Sequence, residues 1–336
     1  MTKMKIYLFA TVFLVICGCA QERFIDEPGN LVPLTVTEDA RLPSVKVNGA
    51  MLHSEAFGHP DSTLVICVHG GPGSDYRYML NCRDLADYGY RVVFYDQLGS
   101  GLSERFPRRY YTSRGAAALD LFYDELKGII GHYRTRAGQK VYLLGHSWGG
   151  MLATAFSGKY PDLVQGLIVA EPGGLKWSDI MTYVSNSQSF SLWSELLNNV
   201  SYKDQFLTAK QDQHVILDYL GAMTTGKNTI TQDEDVEQGD FWRLGTVISE
   251  AMFEIGTAYE PDLSSDIKQY KQPVLFFYSS QNKAYPLSWA QRISAVYPQV
   301  TLSKIDGTGH SGIVSAPHAW RQKTLPAVLA YFNSIN

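Results

Sequence analysis

Residues 145–149, Gly-His-Ser-Trp-Gly, form a Gly-x-Ser-x-Gly pattern that could present a nucleophilic serine. An apolar run at 141–144 precedes this pattern and a helical pattern begins at Met151, which predicts a sharp turn from a strand into a helix. Small residues on both sides would let such a turn lift the Ser147 hydroxyl clear of the backbone. The Trp148 N–H would then face a developing oxyanion. A phosphate-cradling loop is the alternative, but the spacing matches neither Gly-x-Gly-x-x-Gly nor a Walker loop.

Two further loops could supply the other groups that acyl transfer needs. Residues 69–73, His-Gly-Gly-Pro-Gly, follow a buried run, and their glycines would let the backbone approach a substrate closely. The amides of Gly70 and Gly71 are therefore expected to complete an oxyanion hole with Trp148. His310 follows the last apolar run and precedes a terminal helical pattern. Of the eight histidines, it alone has a placement suited to a general base for Ser147.

Strand-like and helical patterns alternate along most of the chain. Asn48-Gly49 predicts a tight hairpin turn. Six apolar runs then predict buried parallel strands, at Thr63 to Val68, Arg91 to Tyr95, Val141 to Leu144, Leu167 to Ala170, Pro273 to Tyr278 and Val300 to Ile305. Helical patterns such as residues 116–133 separate most of the runs. The order predicts an α/β fold with a doubly wound, mostly parallel sheet.

The alternation stops between residues 175 and 263, where helix-like stretches occur without a clear strand. A segment of about ninety residues is too long for a bare loop, so we expect a helical cap inserted between two core strands. The predicted domains are therefore a first core part at 33–174, the cap at 175–263 and a second core part at 264–336.

The first residues have the layout of a secretory signal, with Lys3 and Lys5 ahead of an apolar run that ends at Cys19. Leu-Val-Ile-Cys-Gly-Cys at 14–19 also resembles the lipobox of bacterial lipoproteins. That resemblance implies a signal peptide at 1–18, acylation of Cys19, a tether at 19–32 and an exported, membrane-anchored protein on the periplasmic or cell-surface face. A plain signal peptide with an incidental cysteine is the alternative.

The bulk composition excludes several classes of partner. A net charge of -4 gives no electrostatic reason to expect nucleic acid. The proposed acyl transfer needs no cofactor, and we find no metal site in the sequence. The expected partners are a small-molecule or short-peptide substrate and, through the lipid anchor, a membrane. We expect a monomer.

Three motifs in order resemble those of the prolyl aminopeptidase (proline iminopeptidase) branch of the α/β-hydrolases. That branch carries His-Gly-Gly-Pro-Gly, matched at 69–73, Asp-Gln-x-Gly-x-Gly-x-Ser, matched at 96–103, and Gly-x-Ser-Trp-Gly, matched at 145–149. The resemblance implies an α/β-hydrolase fold and removal of an N-terminal residue, often proline, from short peptides or amides. It assigns the nucleophile to Ser147, the base to His310 and the oxyanion hole to Gly71 and Trp148.

The chain departs from this branch at the third member of the triad. Relatives have an aspartate a few residues beyond the strand matching 273–278, and counting without gaps places Asn282 there. An amide carries no charge to stabilise an imidazolium. Glu171 lies at the end of the preceding strand, and neighbouring strands are about 5 Å apart, so its longer side chain could reach the same histidine. A capping or salt-bridged role for Glu171 is the alternative, and Asp306 is a rival acid on the loop of His310 itself.

The substrate is less constrained than the reaction, because a cap sets substrate choice in such enzymes. An aminopeptidase must hold an ammonium group, and family members use a cap glutamate followed by aromatic residues. Glu250 is the best local match, although a solvated helix glutamate would look the same. The alternatives to an aminopeptidase are an esterase or amidase acting on a small acyl substrate, and a surface binding protein that has lost catalysis.

Overall fold

The computed structural model describes residues 32–187, 213–224, 230–231 and 241–335. Within these residues one eight-stranded sheet has the order β1-β2-β4-β3-β5-β6-β7-β8. The strands are β1 (Ser44–Val47), β2 (Ala50–Phe57), β3 (Leu64–Val68), β4 (Arg91–Tyr95), β5 (Val141–His146), β6 (Gly166–Ala170), β7 (Val274–Ser279) and β8 (Val300–Ile305). Their bounds agree closely with the predicted runs.

The first two strands are antiparallel and the central strands are parallel. β1 and β2 pair through the turn at Asn48 and Gly49, whose φ angles of 51° and 92° are the positive values that a tight hairpin turn requires. β2 is antiparallel to β4, and every later pairing, from β3–β4 to β7–β8, is parallel. The predicted mostly parallel α/β sheet is confirmed.

Helices cover both faces of the sheet. The α-helices are α1 (Arg108–Thr112), α2 (Ala118–Tyr133), α3 (Trp148–Lys159), α4 (Trp177–Asn186), α5 (His214–Thr224), α6 (Thr246–Tyr259), α7 (Leu287–Ser294), α8 (Gly312–Ser315), α9 (Pro317–Ala319) and α10 (Leu325–Ile335). The 3₁₀ segments are Arg77–Tyr88, Gly115–Ala117, Pro161–Leu163 and Ile267–Gln269, and a π turn spans Trp320–Thr324.

The sheet divides the core into two apolar layers because successive side chains of a strand point to opposite faces. On β3, Ile66 packs with Phe122 and Phe156 on one face, whereas Val65 packs with Phe94 and other aromatic residues on the opposite face. All five residues of β3 and of β6 are buried, as expected for strands covered on both sides. The carboxyl ends of these strands are therefore held between two well-packed apolar layers.

The register of the parallel strands brings four loops together at one edge. His146 pairs with Ala170, Ala170 pairs with Phe277, and Ser279 pairs with Ile305. The chain segments that follow β5, β6, β7 and β8 consequently begin side by side. These are the segments that carry the predicted nucleophile, the three candidate acid positions and the predicted base.

The described part of the predicted cap is helical and rests above this edge. It consists of α4, α5, α6 and the short stretches beside them, and the chain enters and leaves it through a bridge between Lys176 and Asp262. The Leu263 N–H also donates to the Leu175 carbonyl at 2.7 Å. The exact domain bounds stay a prediction. Across the described ranges no helix is long and apolar enough to cross a membrane.

Candidate active site

Ser147 occupies a strained turn between β5 and α3. Its φ and ψ are 55° and −124°, a conformation that a non-glycine residue seldom adopts. A Cβ at Gly149 would overlap the Val68 carbonyl, and one at Gly145 would overlap the Gly149 carbonyl. The glycines are therefore required by the close approach of α3 to the sheet. The turn is the nucleophile elbow that the Gly-x-Ser-x-Gly spacing predicts.

His310 and Glu171 form a hydrogen-bonded pair beside the elbow. His310 Nδ1 lies 2.8 Å from Glu171 Oε2, and since a carboxylate only accepts, the imidazole donates from Nδ1. The Glu171 side chain is fully buried, whereas that of His310 is 16% exposed. Glu171 follows β6 directly with φ of 40°, and its N–H donates to the Phe277 carbonyl. The positive φ turns its side chain out of the strand direction toward the neighbouring loops.

Four donors surround the Glu171 carboxylate. Oε1 accepts from the Ser279 N–H at 2.5 Å and from the Ser279 hydroxyl at 2.6 Å. Oε2 accepts from Asn282 Nδ2 at 2.7 Å in addition to His310. Hydrogen bonds to both oxygens hold the carboxylate in one orientation. The arrangement directs Oε2 at His310.

Asn282 therefore contacts the carboxylate that reaches His310, and that carboxylate belongs to Glu171. The Asn282 amide nitrogen also lies 3.1 Å from the hydroxyl of Tyr183, which is itself 3.4 Å from His310 Nδ1. Asp306, the rival acid, is exposed and paired with Lys304 at 2.7 Å, and that lysine lowers the pKa of Asp306. The structure thus brings Glu171, and not Asp306, to the histidine.

The three residues predicted for the oxyanion hole differ in their surroundings. Trp148 is the first residue of α3, so its N–H has no partner within the helix and lies at the positive end of the helix dipole. Gly71, with φ of 122°, lines the same cavity as Ser147, Trp148 and His310. The Gly70 amide, in contrast, donates to the Tyr78 hydroxyl at 2.7 Å. The expectation for Gly70 is corrected, because its N–H is already engaged away from the substrate.

The Asp-Gln motif at 96–97 holds these loops against one another. Gln97 donates from its side chain to the His69 carbonyl at 2.8 Å and accepts from Trp148 Nε1 at 2.9 Å. The Gln97 N–H donates to His69 Nε2, while His69 Nδ1 donates to the Gly70 carbonyl. Burial lowers the pKa of His69, which keeps its ring neutral for these two roles. The Gly-rich loop and the elbow helix are thereby joined through one glutamine.

A cavity of about 220 Å³ opens beside Ser147 and His310. Most of its described wall is apolar, with side chains from Leu119, Met151, Trp177, Ile180, Val184, Met252, Phe253, Ile255 and Leu263. Trp177 packs edge-on against Phe253, with ring centroids 5.6 Å apart. A Cβ at Gly256 would overlap the Trp177 ring, so the glycine makes room for that ring at the wall. Of the residues described here, none in the wall is Asp, Glu, Lys or Arg.

Glu250 is not in that wall. Helix α6 turns Ser249, Met252, Phe253 and Gly256 toward the cavity, spacings that follow one helical face. The Glu250 carboxylate points elsewhere and pairs with Arg108 Nη1 at 3.0 Å. The side chain is buried, but its charge is offset by a guanidinium and not by open substrate space. This placement does not support amine recognition by Glu250.

Two elements of the site were missed from the sequence. His146 and Tyr78 link the elbow to the neighbouring loops, with Tyr78 Oη 2.8 Å from His146 Nδ1. Neither spacing nor residue type marks this contact, because Tyr78 comes from a 3₁₀ segment 68 positions away.

Cys19, the signal peptide and most of the tether lie outside the described residues. In the described ranges no cluster of three or more His, Cys, Asp or Glu could hold a metal ion.

The fold and this site together define a serine hydrolase of the α/β-hydrolase fold. The chain belongs to the family described as serine aminopeptidase, S33, whose model matches residues 59–311.

Three relatives each align with part of the chain. It is 37% identical over 108 residues to a proline iminopeptidase of Saccharolobus solfataricus, and 35% identical over 136 residues to one of Thermoplasma volcanium. These alignments cover 32% and 39% of this chain and 32% and 41% of those proteins, so the chain spans well under half the length of either. Epoxide hydrolase 1 of Caenorhabditis elegans is 26% identical over 278 residues, which are 79% of this chain and 65% of that protein.

Solved structures of proteins with different names share the fold. A proline iminopeptidase from Mycobacterium smegmatis aligns with a TM-score of 0.59 at 18% identity, covering 88% of this chain and 99% of that one. A thermophilic esterase from Thermogutta terrifontis aligns with a TM-score of 0.58 at 19% identity, covering 87% and 99%. At such identities the comparison establishes the fold and leaves the substrate open.

Proposed function

We propose that the protein hydrolyses esters or amides of a compact, uncharged acyl group through an acyl-enzyme on Ser147. The observation that carries the proposal is the Ser147 elbow opening, together with the His310–Glu171 pair, onto one apolar cavity. Ser147 Oγ attacks the carbonyl carbon while His310 Nε2 takes its proton, and His310 then returns that proton to the leaving group. Water, activated by the same histidine, adds to the acyl-enzyme and releases the acid.

The other groups in the site support charge development in this reaction. The N–H groups of Gly71 and Trp148 stabilise the negative oxygen of the tetrahedral intermediate. Glu171 keeps the proton of His310 on Nδ1, so Nε2 can accept from Ser147, and it stabilises the imidazolium that forms. Ser147 and His310 share the cavity wall without a hydrogen bond between them among the described contacts. In enzymes without substrate such contacts are often long and tighten on binding.

The cavity indicates the acyl side of the substrate. Its described walls offer aromatic and aliphatic surface, and a charged acyl group placed there would lose water without gaining a counter-ion. Pockets for drug-sized ligands measure about 300–1,000 Å³, so a smaller space favours a short chain or a single ring. An ester or amide of a four- to six-carbon acid fits this description.

An aminopeptidase acting on N-terminal proline is the second candidate, because several of the similar proteins are named proline iminopeptidase. The proline ring is compact and mostly apolar, as the cavity wall requires. Its ammonium, however, needs a negative partner in a partly desolvated site. Glu250, the residue expected to provide one, is paired with Arg108. Among the described residues no other carboxylate faces the cavity, so this part of the site supports the esterase or amidase better.

The two candidates differ on one matched pair of substrates. The p-nitroanilides of L-proline and of cyclopentanecarboxylic acid have rings of equal size, but only the first carries an ammonium. We expect the cyclopentane compound to be cleaved at least as fast, and p-nitrophenyl butyrate to be cleaved as well, measured as kcat/KM. A site built around a polar group rejects an analogue lacking that group by a large factor, about 10⁴-fold in favourable cases. A preference for proline of a hundredfold or more would establish the aminopeptidase instead.

We also propose that the protein is an exported lipoprotein held on a membrane by acylated Cys19. The proposal rests on the lipobox-like segment at 14–19. Several acyl chains hold a protein on a bilayer durably, whereas one chain holds it only marginally. In a bacterial host, wild type should sediment with membranes, and Cys19→Ser should be released or remain unprocessed. Cys17→Ser, which keeps Gly18 and Cys19, is the control and should stay with membranes. A soluble wild type with an unacylated Cys19 by mass spectrometry would refute the anchor.

A further inference from the structure

A line of directed hydrogen bonds runs behind the catalytic residues through His146. His146 Nε2 lies 2.9 Å from the His310 carbonyl oxygen. Because a carbonyl only accepts, the proton of the His146 ring is on Nε2, and Nδ1 of the neutral ring must accept. The Tyr78 hydroxyl, 2.8 Å from Nδ1, is therefore the donor there. The oxygen of that hydroxyl in turn accepts the Gly70 N–H at 2.7 Å.

This line joins the three loops that acyl transfer uses. Gly70 precedes the oxyanion residue Gly71, His146 precedes the nucleophile Ser147, and the third contact is to the base, His310, itself. The opposite side of the His310 backbone is also held, since its N–H donates to the Thr231 carbonyl at 2.8 Å. The His310 main chain is thus fixed from the sheet by His146 and from the cap side by Thr231.

We propose that His146 is a positioning residue, which fixes the His310 loop over Ser147 through its Nε2–H bond to the His310 carbonyl and does not itself contact substrate. The proposal rests on the proposed function of Ser147 and His310. The residue is not a part of the cavity wall among the described residues, so it acts on the reaction indirectly, and its Nε2–H contacts the base His310 itself.

Charge supports the same role. The two imidazole rings lie 4.6 Å apart between centroids, and a positive His146 would oppose the imidazolium that His310 forms during acyl transfer. Burial, reinforced by His310, lowers the pKa of His146 well below its ordinary value. A neutral His146 can hold the loop by one donor and one acceptor without opposing that charge.

Two conservative variants separate the two bonds of His146. The amide of glutamine reaches the region of Nε2 and can still donate to the His310 carbonyl, whereas asparagine is shorter and reaches only the region of Nδ1. His146→Asn should lower kcat about 10- to 100-fold, the scale of a catalytic group displaced by about 1 Å, with KM changed less than about threefold. His146→Gln should restore kcat to within about fivefold of wild type. Equal losses in both variants, or no loss in His146→Asn, would overturn the proposal.

Tyr78→Phe and a spectroscopic reading complete the test. Removing the Tyr78 hydroxyl leaves His146 bonded to His310 but less well oriented, so kcat should fall less than in His146→Asn. A larger fall would contradict the proposal that the bond from His146 to His310 matters more than the bond from Tyr78 to His146. Nitrogen-15 NMR of histidine-labelled wild type should show the Nε2–H tautomer of His146, and an Nδ1–H tautomer would refute the proposal without any activity assay. A wild type that shows this tautomer but cleaves no substrate would instead refute the proposed function.

Discussion

Ser147→Ala should abolish hydrolysis, lowering kcat about 10⁶-fold for any ester or amide that wild type cleaves. The alanine has no oxygen to attack the carbonyl, and Gly71 and Trp148 would be left to stabilise only an uncatalysed attack by water. Labelling by a fluorophosphonate probe, read by mass spectrometry of the intact protein, should be lost at the same time. The far-ultraviolet circular dichroism and melting temperature should be unchanged, because a small side chain at the cavity surface is shortened.

A second serine of the cavity wall provides the matched control. Ser249 also faces the cavity, but its hydroxyl donates to the Pro72 carbonyl, and among the described contacts it has no hydrogen bond to a histidine or carboxylate. Ser249→Ala should keep fluorophosphonate labelling and retain kcat to within about tenfold, since a neutral hydrogen bond contributes about 1 kcal/mol. Labelling that persists in Ser147→Ala would refute the nucleophile. A wild type that neither labels nor hydrolyses would favour the surface binding protein.

Local patterns predicted those features that depend on neighbouring residues in the chain. The elbow at Ser147 is set by glycines two positions away on each side, and the hairpin by Asn48 and Gly49. Such signals need no knowledge of distant contacts. The approach of Glu171 to His310 could also be anticipated, because parallel strands place their carboxyl ends at one edge about 5 Å apart.

Features that depend on side-chain direction across the fold could not be predicted in this way. Glu250 is one position from Ser249, but a helix turns about 100° per residue, so one side chain lines the cavity and the other pairs with Arg108. The Gly70 and Gly71 amides are adjacent in the chain, yet Tyr78 engages the first. The role of each depends on a partner that the pattern does not contain.

The departure from the family at Asn282 is explained by a redistribution of charge between two neighbouring positions. The asparagine donates to Glu171 Oε2, so an amide at 282 and a carboxylate at 171 form a compatible pair. Two carboxylates at so short a distance would repel each other, and one of them would be driven to bind a proton. In the proposed triad the single negative charge is thus supplied after β6 and not after β7.

Glu171→Gln should lower kcat by about 10²- to 10⁴-fold, the upper end being the cost of replacing the acid by an amide in a serine protease. Glutamine has no charge to stabilise the His310 imidazolium. Its amide group would also meet donors on both sides, the Ser279 N–H and hydroxyl at one end and Asn282 and His310 at the other. With the NH₂ toward His310, the imidazole is forced into the wrong tautomer; with the NH₂ toward Ser279, it meets the Ser279 N–H and the side chain is destabilised in its place. KM should change much less than kcat.

Asn282→Ala is the matched comparison, because it removes one of the four donors to Glu171 and leaves the charge in place. It should lower kcat by about tenfold, near the lower end of the roughly 1.5–3 kcal/mol that a hydrogen bond to a charged group contributes, because the other donors still hold the carboxylate. Glu171→Asp keeps the charge but shortens the reach by one methylene, and it should fall between the two. Melting temperatures measured for all three variants show whether the fold is intact. If Asn282→Ala lost more activity than Glu171→Gln in folded proteins, the acid would have to be sought elsewhere, because no loss of a neutral donor should exceed the loss of the charge that it supports.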